Sequence, residues 1–209
     1  MGTTIWGGAT PRTMRAHWAA HELGVEYDAK LIGSRSGATQ TDEFRALNCK
    51  EKIPVLVDNE LVLTESAAIV TYLGDKYGKL TPPVGSIRRA KYYEWMSYIQ
   101  MELDAHTLYI IRKHVGLADL YGEAPAAIAA ARDGFKKQIK WASPRLKVAD
   151  YAIGEAFSGV DIMLTTTLDM AVFFDFELTE EFEDYRAKHR ARQAYRTANA
   201  LNYSISADR

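Results

Sequence analysis

The sequence predicts a mixed α/β unit followed by an all-helical one, on three observations. Strand-length apolar runs alternate with helical patterns up to about residue 80, the stretch "KLTPPVGS" (79–86) breaks the pattern with tandem prolines and a glycine, and no strand pattern follows residue 86. The units so drawn span 1–80 and 86–209.

In order, "TTIWG" (3–7) reads as a strand and "TMRAHWAAHELG" (13–24) as a helix closed by Gly24. "VEYDAKLI" (25–32) reads as a second strand, "GSRSGAT" (33–39) as a loop, and "TDEFRALN" (41–48) as a short helix capped by Thr41. "VLVDNELVL" (55–63) places two short strands around an Asp-Asn-Glu turn, an antiparallel hairpin, before a helix at 65–78 that ends near Gly78. Beyond the proline pair, Ser86 is set to cap a long helix reaching about 115, and further helices are expected at 125–149, 161–174 and 179–195. Thr179 reads as a cap without the acidic partner of a capping box, because Phe182 occupies the third position.

Composition excludes several function classes. The 26 basic and 27 acidic side chains nearly cancel, leaving no electrostatic footprint for nucleic acid or for a membrane surface. The start "MGTTIWGG" lacks the basic and apolar regions of a signal peptide, and no window reaches transmembrane length. The single cysteine, Cys49, rules out an intrachain disulfide framework and suits a reducing compartment, so a cytoplasmic location is expected. Five histidines are scattered; His17 and His21 form an i,i+4 pair with no third ligand nearby in sequence, so no metal is expected.

Two stretches carry more information than composition: "NCKEKIPVLVDNELVLTESAAIVTYLGDKY" (48–77) and "FSGVDIML" (157–164). With the element order they resemble the cytosolic glutathione S-transferase family, in its bacterial-like form with a serine/threonine-type active site. The resemblance covers essentially the whole chain and implies a thioredoxin-like domain followed by a helical bundle. In that fold the proline at 54 is preceded by a cis bond, and Ile53 offers its N–H and C=O to an extended peptide; read locally, Pro54 is a proline at the start of a strand. The resemblance assigns glutathione binding to Lys52, Ile53, Pro54, Glu65, Ser66 and Gln40. With Thr64 as N-cap, Glu65 and Ser66 fall in the first turn of a helix. There the Glu65 carboxylate suits the γ-glutamyl ammonium, and the Ser66 hydroxyl and N–H suit the carboxylate. Glu65 would also complement the helix dipole without any ligand, worth about 0.3–1 kcal/mol. Ser158 and Asp161 match the family's folding signature and are assigned structure alone.

The family also places a hydroxyl or thiol after the first strand, against the glutathione sulfur. Here "WGGATPRTMRAHW" (6–18) contains no Tyr, Ser or Cys. Thr10, before a proline suited to the first helical position, is a natural N-cap, and one hydroxyl can accept a backbone N–H while donating its own proton. Its spacing to Arg15 matches that of serine-type members, so Thr10 stands first as the catalytic residue and Thr13 second. Cys49, well away from this helix start, reads as a buried structural thiol. His106, Tyr109 and Arg112 of the long helix are candidates for the substrate side, His106 and Tyr109 sharing a face at i,i+3; the alternative assigns them to bundle core and surface. The function implied is transfer of glutathione, as co-substrate, to small hydrophobic electrophiles by a homodimer. Two alternatives stay open: a glutathione-dependent peroxidase or disulfide reductase of the same fold, and a non-catalytic binding protein.

Overall fold

Four strands form one mixed sheet in the order β2-β1-β3-β4 in the computed structural model, which describes residues 2–205. β1 (Thr3–Trp6) pairs in parallel with β2 (Asp28–Lys30) and antiparallel with β3 (Val55–Asp58), and β3 pairs antiparallel with β4 (Leu61–Thr64). The parallel pair needs a crossover, supplied by α1 (Pro11–Leu23). Thr10 caps α1, Pro11 occupies its first turn, and Gly24 closes it in the left-handed conformation (φ 66°) that a glycine adopts without steric cost. α2 (Asp42–Leu47) starts at Thr41, whose hydroxyl accepts the Phe44 N–H. α3 (Ser66–Tyr77) ends on Gly78 and packs on α1. Ile5, Trp18, Leu56, Ile69 and Leu73, all fully buried, form the core of this unit.

The order strand–helix–strand, helix, hairpin, helix is the expected one. β2 is shorter than the expected 25–32 because Val25 is still bonded to the helix, its N–H donating to the Ala20 carbonyl at 3.0 Å, and the Tyr27 hydroxyl meets His17 at 2.9 Å.

The second part is helical. α4 (Ile87–Tyr98) begins where Ser86 accepts the Arg89 N–H at 3.1 Å. The helix then leaves the expected α register for i→i−5 bonding over Ile99–Leu108, returns to it for one turn at α5 (Tyr109–Ile111), and departs again over Arg112–Gly116. The Thr107 hydroxyl, donating to the Leu103 carbonyl, competes there with the backbone ladder. α6 (Ala118–Tyr121), α7 (Pro125–Gln138) and α8 (Ser143–Leu146) follow, with a 3₁₀ turn at Ile139–Trp141 between the last two. α9 (Gly159–Phe173) is almost wholly buried. At its start the Asp161 carboxylate, fully buried, accepts the Ser158 N–H (2.8 Å), the Ala152 N–H (2.8 Å) and the Tyr185 hydroxyl (2.6 Å), so the signature at 158–161 does build a capping box.

The expected single helix at 179–195 is two, α10 (Glu180–Arg190) and α11 (Gln193–Asn202). Arg192 turns extended (ψ 139°) and forks onto Glu22 of α1, at 2.6 and 2.8 Å. Trp18 meets Tyr195 edge-on at 4.9 Å. By its contacts the chain divides into one unit of residues up to Thr81 together with those from His189, and a second of Pro82–Lys188. The sequence division had left everything from 86 to 209 with the helices; α11 instead packs on α1, and Met1 and residues 206–209 lie outside the described residues.

Candidate functional site

Two helix starts in the first unit carry the expected residues. The loop from β1 to α1 is a close-packed strap, Gly7-Gly8-Ala9-Thr10. At Gly7 (φ 120°) a Cβ would stand 2.5 Å from the Thr13 side chain and 2.8 Å from that of Ile53, so no larger residue fits. The Gly7 carbonyl accepts from His17 Nε2 at 2.9 Å.

Thr10 and Thr13 form a reciprocal capping box. The Thr13 N–H donates to Thr10 Oγ1 at 3.1 Å, the Thr10 N–H donates to Thr13 Oγ1 at 3.2 Å, and the two hydroxyls are 2.9 Å apart. Their surroundings differ. Thr13 is fully buried, and its hydroxyl donates to Asn202 Oδ1 at 2.6 Å. Thr10 is half-buried. A side chain with no exposed surface and a committed proton has nothing to present to a ligand, which removes Thr13 as the second choice for sulfur contact.

The second start is that of α3. The N-cap is Glu65, not Thr64: Thr64 stays in β4, paired with Val55, and its hydroxyl accepts from Lys50 Nζ at 3.0 Å. Glu65 turns the chain at φ 70°, ψ 114°, a conformation that non-glycine residues rarely adopt, and Ser66 becomes the first helical residue. The exposed Glu65 carboxylate pairs with Lys50 at 2.7 Å, and the buried Ser66 hydroxyl accepts from Arg15 Nη1 at 3.3 Å. Lys50 and Arg15 were not among the sequence-derived binding residues. Arg15 had a signal, its spacing from Thr10; Lys50 had none, since its neighbour Lys52 lies closer to the proline.

Ile53–Pro54 is cis. The Ile53 side chain enters a cluster with Phe44 and Val55, against which Trp6 and Leu47 pack. Lys52 and Gln40 are exposed, Gln40 at the end of a 3₁₀ turn, and the Lys52 carbonyl accepts from Asn48 Nδ2 at 2.7 Å. Cys49 is exposed, correcting its reading as a buried thiol: the chain turns out of the core after Asn48, whose side chain is the one buried.

In the second unit, His106 is exposed within the i→i−5 stretch, and the Tyr109 N–H donates to the Asp104 carbonyl. Tyr109 is half-buried between two cations, Arg112 at 5.9 Å and Lys113 at 5.1 Å from its ring centre. Among the described residues no group of three His, Cys, Asp or Glu side chains could hold a metal ion, and no helix is long and apolar enough to cross a membrane.

Known proteins agree with this architecture. The glutathione S-transferase N-terminal domain matches residues 1–75, and the glutathione S-transferase C-terminal domain matches 95–197. Glutathione S-transferase GstA of Escherichia coli O157:H7 is 31% identical over 165 residues, 76% of this chain and 77% of the relative. Glutathione S-transferase D7 of Drosophila melanogaster is 28% identical over 81% of this chain and 75% of its own. Among solved structures, the theta class glutathione S-transferase of Xanthomonas axonopodis pv. citri with glutathione bound superposes with a TM-score of 0.80 at 27% identity, covering 100% of both chains. The glutathione transferase URE2P8 of Phanerochaete chrysosporium, with oxidized glutathione, reaches 0.87 at 19% identity over 100% of this chain and 98% of its own. A thioredoxin-like sheet, a helical part and sequence matches spanning both together establish that this chain belongs to the glutathione S-transferase family.

Proposed function

We propose that the chain is a glutathione transferase in which the Thr10 hydroxyl donates a hydrogen bond to the glutathione sulfur. The observation that carries this is the inequality of the threonine pair: Thr13 is fully buried and bonded to Asn202, whereas Thr10 is half-buried at the start of α1. A thiol with an ordinary pKa near ~8.5 is mostly protonated at neutral pH, and a donor at a helix N-terminus favours the thiolate. The thiol gives its proton to solvent water, the sulfur lone pair forms a C–S bond with the electrophilic carbon, and the displaced group leaves with the bonding pair. No covalent bond to the protein is needed, so stabilisation of charge on sulfur is what the site contributes.

Supporting residues follow from the same reading. Ile53 holds the peptide through its backbone, with Pro54 shaping the turn. Ser66 and Glu65 hold the γ-glutamyl end, and Lys52 and Gln40 hold the far end. Residues 1–80 carry these contacts. The helices from 86 supply the apolar surface for a small hydrophobic electrophile, with His106, Tyr109 and Arg112 bordering it. A homodimer and a cytoplasmic location complete the proposal; light scattering returning the 23.5 kDa of one chain at micromolar protein would contradict the dimer.

Ultraviolet titration of the bound thiolate tests the central claim. T10S retains the lowered thiol pKa and T10A raises it. A T10A variant with an unshifted pKa overturns the assignment of Thr10.

A further inference from the structure

The candidate sulfur donor sits on a strap that is held from the far end of the chain. Asn202 of α11 is fully buried and makes three bonds to that strap and the helix start that follows it. Its carbonyl accepts the Ala9 N–H at 2.6 Å, its Nδ2 donates to the Thr10 carbonyl at 3.1 Å, and its Oδ1 accepts the Thr13 hydroxyl at 2.6 Å. The strap and α11 are in close approach as well: a Cβ at Gly8 would stand 3.3 Å from the Asn202 carbonyl oxygen and 2.9 Å from Ile205.

Chemistry fixes the orientation of this amide. The Thr10 carbonyl can only accept, so the amide nitrogen must face it and the amide oxygen must face Thr13. An amide oxygen also only accepts, so Thr13 is the donor in that contact. At 2.6 Å it is shorter than the 2.9 Å from the Thr13 hydroxyl to the Thr10 carbonyl. With its one proton on Asn202, Thr13 Oγ1 is left as an acceptor, so Thr10 keeps its own proton, which it gives to Thr13 Oγ1 at 2.9 Å and must turn to the sulfur when glutathione binds. The amide therefore does two things at once. Its nitrogen holds the Thr10 carbonyl and its oxygen sets the direction of the hydroxyl pair, while the Ala9 N–H is held by the Asn202 main-chain carbonyl.

We propose that Asn202 is a positioning residue for sulfur activation, holding the Thr10 hydroxyl where the glutathione sulfur must meet it. It does not touch glutathione itself. The inference rests on the Thr10 reading above and adds to it a specific dependence on α11.

The test is a cycle of T10A, N202A and the double variant, read by ultraviolet titration of the bound thiolate and by steady-state kinetics across pH. N202A raises the bound thiol pKa by about one unit, which leaves about tenfold less thiolate at a pH well below the wild-type value. It lowers kcat at that pH by a similar factor, restores it towards pH 9, and leaves KM for glutathione within about twofold, because the peptide clamp at Ile53 and Ser66 is intact. In the T10A background N202A produces no further shift. Should N202A fail to fold, N202S keeps a polar atom in the same space, bonds only one of the two threonines, and gives a smaller rise in the same direction. An N202A or N202S protein that melts earlier but keeps the wild-type thiol pKa assigns Asn202 to stability alone and overturns the inference. A T10A protein with an unshifted pKa overturns the Thr10 reading beneath it, and an N202A shift that persists undiminished in T10A shows that Asn202 acts by another route.

Discussion

The Arg15 guanidinium donates to the Ser66 hydroxyl across 3.3 Å, and both side chains are buried. An Arg in that position fills one lone pair of the hydroxyl and leaves its proton to donate, at the first residue of a helix whose leading N–H groups also favour an anion. S66A therefore weakens glutathione binding by about 1.5–3 kcal/mol, the worth of a hydrogen bond to a charged group. R15K weakens it too, because a lysine offers a point charge in place of a planar fork. Calorimetry on both variants is the check, and wild-type affinity in S66A would remove this residue from the clamp.

Asp58 ties three elements together. At the end of β3 and almost wholly buried, it accepts from Lys76 and from the Tyr72 hydroxyl (2.7 Å), both on α3, and approaches Thr3 of β1. The Lys76 hydrogen bond is the main reason its carboxyl is held below the usual range. A depressed carboxyl pKa contributes stability that is present above the unfolded value, near ~3.9, and lost as pH falls through the folded one. D58N is expected to cost about 1–2 kcal/mol at pH 7, Lys76 being partly in solvent and so screened. In urea titrations the gap between wild type and D58N closes as pH is lowered through the folded pKa of Asp58.

His17 responds to pH in the same direction for a different reason. Its Nε2 donates to the Gly7 carbonyl, so its Nδ1 accepts from the Tyr27 hydroxyl, which also lies 3.4 Å from His21 Nε2. Burial, the largest cause, pushes the His17 pKa down, and burial lowers His21 as well. A histidine held neutral when folded binds a proton more readily when unfolded. Its contribution is therefore complete above about pH 6.5 and is lost as pH falls through the folded pKa. H17Q, which can still reach the Gly7 carbonyl, flattens the fall in Tm between pH 7.5 and 5 without abolishing it, since His21 remains. An equally steep fall in H17Q would place the titration elsewhere.

Asp161 anchors the helical unit. Burial raises its pKa, and the Ser158 and Ala152 N–H groups and the Tyr185 hydroxyl hold it. D161A leaves those donors buried without an acceptor, at about 1–3 kcal/mol each, and is expected to be the most destabilising of the substitutions named here. Y185F, which leaves the Ser158 and Ala152 N–H groups their acceptor, costs less. Chemical unfolding of the two variants gives the order.

The elements readable in the sequence were those with local causes. Thr10 and Thr41 announce helix starts, Gly24 and Gly78 announce ends, and the Asp-Asn-Glu turn folds the hairpin, all through chemistry contained within a few residues. The capping pair Ser158 and Asp161 was equally plain. What escaped depends on partners distant in sequence. Glu65 displaces Thr64 as N-cap because Thr64 keeps its place in the sheet opposite Val55. The break before Gln193 coincides with Arg192 reaching Glu22, and nothing near residue 192 mentions it. The same holds for Asn202, whose partners Thr10 and Thr13 lie 192 and 189 positions away. The wide helical register from Ile99 to Leu108 hides in a segment that no proline or glycine interrupts, and so reads as one continuous helix.

The return of α11 to the first unit also sets a timetable for synthesis. A chain emerging from the ribosome can pair β1, β3 and β4 and lay α3 on α1 long before residue 202 appears. Until then the strap at residues 9–13 lacks the three bonds that hold it. Contacts between the two ends of a chain carry the largest loop-closure cost and form late. The first unit is thus among the first parts made and the last to be finished.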